Sequence, residues 1–310
     1  MNRERMVDRV RAWLQLLRAP NLFTVPGDPV AGCFLAAQSP ALPWAAMGWV
    51  VAAALGFYGA GLAWNDYFDR HEDRRARPDR PLPSGRIRPG TALGAGWVLT
   101  IIGLLICAHV GLATFWTGLA LAACVFGYNA WFKSLPVPGN IAMGACRGLS
   151  LLLGASAVPE ISLLAAPVPL AAAIVFLYIA AVTHLARRET ESHRPGVAAW
   201  GPLIVLIGGG ASYLPYMPDM PWPRLAFLGV YTLACVVAFL FSLRMRASAK
   251  ASLRAGELPG WIGRLIANLL FLHAALVLSA NRGLVGASVA GMLVLCWACN
   301  RLVARRFYAS

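Results

Sequence analysis

The sequence predicts an all-α fold, a polytopic bundle of membrane helices, and three observations carry that expectation. Of 310 residues, 59% are hydrophobic and only 13% are charged, about half the charged share of an ordinary soluble domain. Apolar runs of roughly 20 residues, long enough to cross a bilayer core as a helix, recur along almost the whole chain. The 27 Lys and Arg sit on alternate sides of those runs: all but Arg147, Arg224 and Arg282 fall on one side.

Taken in order, residues 2–18 (NRERMVDRVRAWLQLLR) place Met6, Val7, Val10, Trp13, Leu14 and Leu17 on one helical face, which predicts an amphipathic helix lying in the interface. The stretch lacks the early apolar core and small-residue cleavage site of a signal peptide. Ten apolar segments follow, at 21–40, 44–65, 91–111, 113–132, 139–158, 165–186, 198–215, 224–244, 261–280 and 283–303. Gly and Pro inside them (Pro26, Pro29, Gly56, Gly59, Gly61) are compatible with membrane helices, because neighbouring helices re-satisfy the freed backbone groups. No stretch is left for a soluble domain, so residues 1–310 are expected to form one integral membrane domain. By the positive-inside rule both termini and the 66–90 loop are cytoplasmic. The net charge of +14 then reads as topology plus contact with anionic lipid, and not as nucleic-acid binding. The expected location is a cell membrane, taken as the bacterial inner membrane. Seven cysteines are scattered through the apolar runs and read as small packing hydrophobes; Cys296 and Cys299 have CxxC spacing but no second pair.

One stretch departs from this apolar pattern. Trp64 to Gly85 reads WNDYFDRHEDRRARPDRPLPSG, and Asp66, Asp69 and Asp73 stand at i, i+3 and i+7, stacked on one face of a helix continuing from the second span. Like charges so placed repel, and a hard divalent cation resolves the conflict. Mg²⁺ prefers oxygen ligands and is usually held by one or two carboxylates together with substrate phosphates. Arg74, Arg75, Arg77, Arg80, Arg86 and Arg88 follow with forked donors suited to phosphate. A solvated charged loop is the plainer alternative. Two charged residues lie deep inside apolar runs, Asp28 in TVPGDPVAG and Arg147. Such residues are expensive at membrane depth and face a polar cavity or a partner. Asp28 either orients a substrate or caps a helix broken by Pro26 and Pro29, and Arg147 either meets a ligand or pairs with an internal acid. His109 and His273 read as packing.

The acidic stretch resembles the NDxxDxxxD signature of the UbiA superfamily of intramembrane prenyltransferases, through Asn65, Asp66, Asp69 and Asp73, and Arg80 to Gly85 is similar to that family's RPLPSG continuation. Arg18 to Leu22 resembles its R-P-x-N-L opening, and Tyr128 to Lys133, Pro138 to Asn140 and Cys146 to Gly148 resemble its fourth-to-fifth helix connection. These ordered matches cover roughly the first 200 residues; the remaining spans are similar in hydropathy alone. The resemblance implies a bundle of nine helices, against the ten segments counted above, around a cavity open to lipid. It implies transfer of an isoprenyl group from a polyprenyl diphosphate to a small or lipidic acceptor, with Mg²⁺ as cofactor. Asp66, Asp69 and Asp73 would hold metal and diphosphate, Lys133 and Arg147 would act with them, and Asn21, Asp28, Asn65, Arg80, Tyr128, Asn140, Arg187 and Glu191 would line the substrate site.

The family's second motif, DxxDxxxD, falls in YIAAVTHLARRETESHRPG, residues 178–196, where His184, Arg187 and Glu191 occupy the aspartate positions. One carboxylate remains in register, with Glu189 near it. That departure leaves two function classes open: a divergent prenyltransferase using at most one metal at this motif, and a non-catalytic binder or carrier of a lipidic diphosphate.

Overall fold

The computed structural model describes residues 3–37, 41–159, 167–187, 196–217, 219–250 and 258–307. Among these the chain is helical throughout, with no strand. The elements are α1 (Arg3–Leu16), a 3-10 turn (Ala19–Thr24), α2 (Gly27–Ala36), α3 (Trp44–Ala76), α4 (Pro89–Val110), α5 (Leu112–Ala130), α6 (Pro136–Ser156), α7 (Val168–Arg187), α8 (Gly201–Tyr213), α9 (Pro221–Lys250), α10 (Leu258–Ser279) and α11 (Gly283–Phe307). Proline stands in the first turn of α4 and α6, where its missing N–H is no loss and its fixed φ suits the helix.

Eight of the ten expected segments form helices long and apolar enough to cross a membrane. The other two differ for visible reasons. Segment 21–40 is not one helix: Pro26 follows the 3-10 turn and α2 has only 10 residues, about 15 Å at 1.5 Å per residue, half a bilayer core. In segment 139–158, α6 runs 21 residues but carries Asn140, Arg147 and several glycines and serines, and lies outside that apolar set. Around the bundle, Leu105, Leu112, Leu225, Leu284 and Leu295 are all more than 60% exposed, an outer surface that suits lipid and not water.

The helix α10 is the most enclosed span, packed against α2, α7, α9 and α11. Tyr178 donates to Leu265 O at 2.9 Å, and Asn268 Nδ2 donates to Ala234 O at 3.1 Å and to the Tyr178 hydroxyl at 3.2 Å, binding α7, α9 and α10 with polar contacts that each contribute about 0.6–2 kcal/mol in a membrane bundle. A second approach depends on small residues. Cβ atoms built at Gly32 and Gly154 would lie 2.0 Å from Leu151 O and 1.9 Å from Pro29 O, so α2 and α6 touch backbone to backbone, and Cys33 Sγ donates to Gly154 O at 3.0 Å. Gly154→Ala is expected to force these helices apart and cost about 3 kcal/mol, read as a lower melting temperature in detergent. Gly48→Ala in α3, where nothing lies within 4 Å of the new Cβ, is expected to be neutral or stabilising by up to about 1 kcal/mol. Equal melting of the two variants would overturn this account.

The amphipathic segment forms α1 as expected. Ala12 and Leu16 are buried with Leu62, Ala63, Leu82, Ile87 and Ala92, whereas Val7 and Val10 remain more than half exposed.

Candidate active site at the end of the third helix

At 33 residues, α3 is about 50 Å long, well beyond a 30 Å core, so its last turns project past the apolar zone and carry the acidic stripe with them. Asp66 and Asp73 are buried at 5% and 4% exposure, and Asp69 is half-buried. Lys133, in the 3-10 turn Phe132–Ser134 between α5 and α6, places Nζ 2.5 Å from Asp69 Oδ1 and donates to Asn65 O at 3.5 Å. Arg80 Nη1 meets Asp73 Oδ2 at 2.6 Å. Asp66 has no ion pair among the described residues; its contact is Asn65 Nδ2 at 3.5 Å.

The RPLPSG loop is held by its own chemistry. Ser84 Oγ donates to Arg80 O at 2.7 Å, Gly85 takes a φ of +76° that L side chains adopt at a cost, and Leu82 and Ile87 anchor the loop under α1. Of the six downstream arginines, Arg80 alone reaches an acid of the stripe. Arg86 is spent on Gln15 Oε1, Asp79 O and Ser84 Oγ, and Arg74, Arg75, Arg77 and Arg88 are exposed.

At the facing ends of α6 and α7, Asn140 Nδ2 lies 3.2 Å from His184 Nδ1, with Asn140 Oδ1 buried and without a partner. Arg187 donates to Leu135 O, and its guanidinium packs where a Cβ on Gly139 would stand, 3.3 Å away. Tyr128, near the C-terminal end of α5, is half-buried. Glu191 and Glu189 lie outside the described residues.

Arg147 and Asp28 are engaged elsewhere. Asp28, fully buried, sits 3.1 Å from Arg147 Nε and 2.7 Å from His273 Nε2; these are ion-pair distances without hydrogen-bond alignment. Arg147 Nη2 also donates to Thr24 O at 3.0 Å. Arg147 thus pairs with an internal acid, one of the two readings its sequence position left open, and His273, read from sequence as packing, is the second partner of that acid. Asn21 lines a cavity between α9, α10 and α11.

Comparison with known proteins follows from this geometry. The family model described as the UbiA prenyltransferase family matches residues 29–253. The chain belongs to this family. Among curated relatives it is 41% identical over 116 residues to a digeranylgeranylglyceryl phosphate synthase of Methanothrix thermoacetophila (37% of this chain, 43% of the relative). It is 33% identical over 187 residues to the synthase so named in Natronomonas pharaonis (58% and 62%), and 27% identical over 279 residues to that of Thermococcus kodakarensis (86% and 99%). The first two matches thus span about half the length of those relatives. Among solved structures, a UbiA homologue from Aeropyrum pernix in its apo form superposes with a TM-score of 0.62 at 17% identity, covering 83% of this chain and 96% of that one. A UbiA homologue from Archaeoglobus fulgidus bound to GPP and Mg²⁺ gives a TM-score of 0.54 at 16% identity, covering 86% and 99%. These structures establish the UbiA fold. The relatives named are archaeal, so the expected bacterial inner membrane has no support from them; an integral membrane protein is what stands.

The UbiA stripe offers hard oxygen donors, which fit Mg²⁺, but not as a three-carboxylate cage. Among the described residues no three His, Cys, Asp or Glu side chains gather to hold a metal. Helix geometry gives the reason: i to i+7 rises about 10 Å, several times a Mg–O distance of roughly 2.1 Å. One or two of these carboxylates, with phosphate oxygens completing the shell, is the arrangement they suit, and Lys133 and Arg80 supply the positive charge that Asp69 and Asp73 meet in its place. Sequence reasoning passed over Arg18 as a functional residue. It holds a left-handed backbone, φ 44° and ψ 57°, uncommon for a residue with a side chain, and its charge acts on both Asp66 and Tyr128.

Proposed function

We propose that this protein is a prenyltransferase of the membrane, moving an isoprenyl group from a polyprenyl diphosphate to a lipidic acceptor with Mg²⁺ assistance. The observation that carries this reading is the acidic stripe of α3 met by Lys133 and Arg80 at the end of a lipid-facing bundle. The relatives' name, digeranylgeranylglyceryl phosphate synthase, and the GPP and Mg²⁺ bound by the Archaeoglobus fulgidus homologue support it. The charge bias supports a cytoplasmic placement of the stripe and of both termini.

In the reaction the allylic carbon–oxygen bond breaks, the electron pair leaves with the diphosphate, and the acceptor's lone pair forms the new bond to carbon as the acceptor loses its proton. Mg²⁺, when bound, neutralises diphosphate charge. Asp66 and Asp69 would hold it with Asn65 as a polar neighbour, and Asp73 fixes Arg80. Lys133, Arg80 and Arg18 meet the charge that grows on the leaving oxygens, and so stabilise the transition state more than the substrate. Tyr128 and Asn140 border the site, with Asn140 Oδ1 available to accept a hydrogen bond from a ligand. At the altered second motif Arg187 supplies charge that a second metal would otherwise supply, since Mg²⁺ disfavours the imidazole of His184. Asp28, Arg147 and His273 hold α2, α6 and α10 to one another.

Purified protein given Mg²⁺, prenyl diphosphates of several lengths and a lipid extract is expected to release diphosphate and form a prenylated lipid. Lys133→Met and Arg80→Ala are each expected to lower kcat/KM about 10²-fold. Full diphosphate binding without any release would favour the second reading, a binder or carrier, which the His184–Asn140 contact at the altered motif keeps open.

A further inference from the structure

A cavity of about 380 Å³ lies between the last turns of α9, the first turns of α10 and the last turns of α11. It adjoins the 3-10 turn that precedes α2, because Asn300 Nδ2 donates to Pro20 O at 2.6 Å and Asn21 lines it. Yet it is built mostly from residues 260–304, beyond the 29–253 that match the UbiA family. Three arginines surround it. Arg264 stacks over Trp261 at 4.7 Å, Arg244 over the same ring at 5.9 Å, and Arg301 over Trp297 at 5.0 Å. Among the described residues none of the three is in an ion pair.

Among the described residues three guanidiniums converge with no carboxylate beside them, an arrangement that suits an anion. The indole faces hold their planes by cation–π contact, which presents forked donors already oriented for phosphate oxygens. Beneath them the walls are apolar, and the mouth continues into lipid-facing side chains, Leu240, Leu243 and Leu302, each more than 40% exposed. A soluble anion would use only the arginines. A phospholipid uses both parts, phosphate on the guanidiniums and acyl chains along α9 and α11, with the tryptophans at headgroup level where they are favoured. We propose that this cavity is a binding site for an anionic phospholipid of the adjacent leaflet, separate from the diphosphate site. It rests on the membrane setting of the bundle and is independent of the prenyl-transfer reading.

The full chain, purified in detergent and incubated with phosphatidylglycerol or phosphatidylcholine of identical acyl chains, is examined for retained lipid by native mass spectrometry. Phosphatidylglycerol is expected to be retained about tenfold better, and Arg264→Ala and Arg301→Ala are each expected to lower its retention about tenfold. Arg224→Ala, which removes an exposed pair with Asp219 at the other end of α9, is expected to change nothing. Inorganic phosphate at matched concentration is expected not to displace the lipid. Equal retention of the two lipids, undiminished retention in the Arg264→Ala/Arg301→Ala double variant, or displacement by inorganic phosphate as strong as by added phosphatidylglycerol would overturn the proposal. If the alanine variants fail to fold, Arg264→Gln and Arg301→Gln replace them, and the comparison of the two lipids on the parent protein decides without any variant.

Discussion

Asp66→Asn is expected to lower prenyl transfer by about 10²- to 10³-fold while leaving the fold at least as stable as the parent. The two halves of that expectation have one cause. Asp66 is 95% buried, as its 5% exposure states, yet it is the member of the stripe without an ion pair among the described residues, whereas Asp69 and Asp73 each have a cation within 2.6 Å. Its amide is nearly isosteric, no ion pair among the described residues is broken, and repulsion along the stripe falls. What is lost is a hard oxygen ligand, and the Mg²⁺ requirement should move to higher concentration. Asp73→Asn provides the contrast: it releases Arg80 and with it the loop to Gly85, so activity and melting temperature should fall together. Diphosphate release measured across Mg²⁺ concentrations, with melting in detergent, checks both variants. Activity of Asp66→Asn within about threefold of the parent would remove the stripe from the mechanism.

Asp28→Ala is expected to be the most destabilising single change in the interior, by about 3–5 kcal/mol, because it leaves Arg147 and His273 without the acid that both face. For a chain of this size that is a melting-temperature loss of order 10 °C. Asp28 and the His273 side chain are fully buried, and Arg147 keeps 12% side-chain exposure, so little water is available to take the carboxylate's place. The set also joins three helices, α2, α6 and α10, and Gly27 leaves His273 its room: a Cβ there would stand 2.2 Å from Nδ1. Arg147→Gln should cost less, since Asp28 retains His273. Asp28→Asn combined with Arg147→Gln should cost less than the sum of the two, as expected of groups that act on one another. Melting curves of the four proteins form the cycle. Strict additivity, or an unchanged melting temperature in Asp28→Ala, would show that the three groups do not support one another.

Much of this protein was legible before any coordinates. Apolar runs of about 20 residues located the membrane helices, because a bilayer core imposes that length on anything that crosses it. The 3.6-residue period put Asp66, Asp69 and Asp73 on one face of α3, and hydropathy showed that this face emerges from the apolar zone. Residues Asn65 to Asp73 and Arg80 to Gly85 carried enough of a local pattern to identify the UbiA family. The partners of these charges were not legible. Lys133 meets Asp69 across helices, Asp28 is met by Arg147 and His273 from two others, Asn21 lines a cavity with residues near the other end of the chain, and Arg244, Arg264 and Arg301 gather around two tryptophans. Helical periodicity states which side chains share a face, but which face of another helix they meet depends on how the helices dock. Here that docking is decided by close backbone approaches such as Gly32 and Gly154, contacts between residues far apart in sequence that leave no periodic trace in it. So the sequence by itself determined the helices, their membrane setting and the acidic stripe, and only the tertiary structure decided which cation each carboxylate holds.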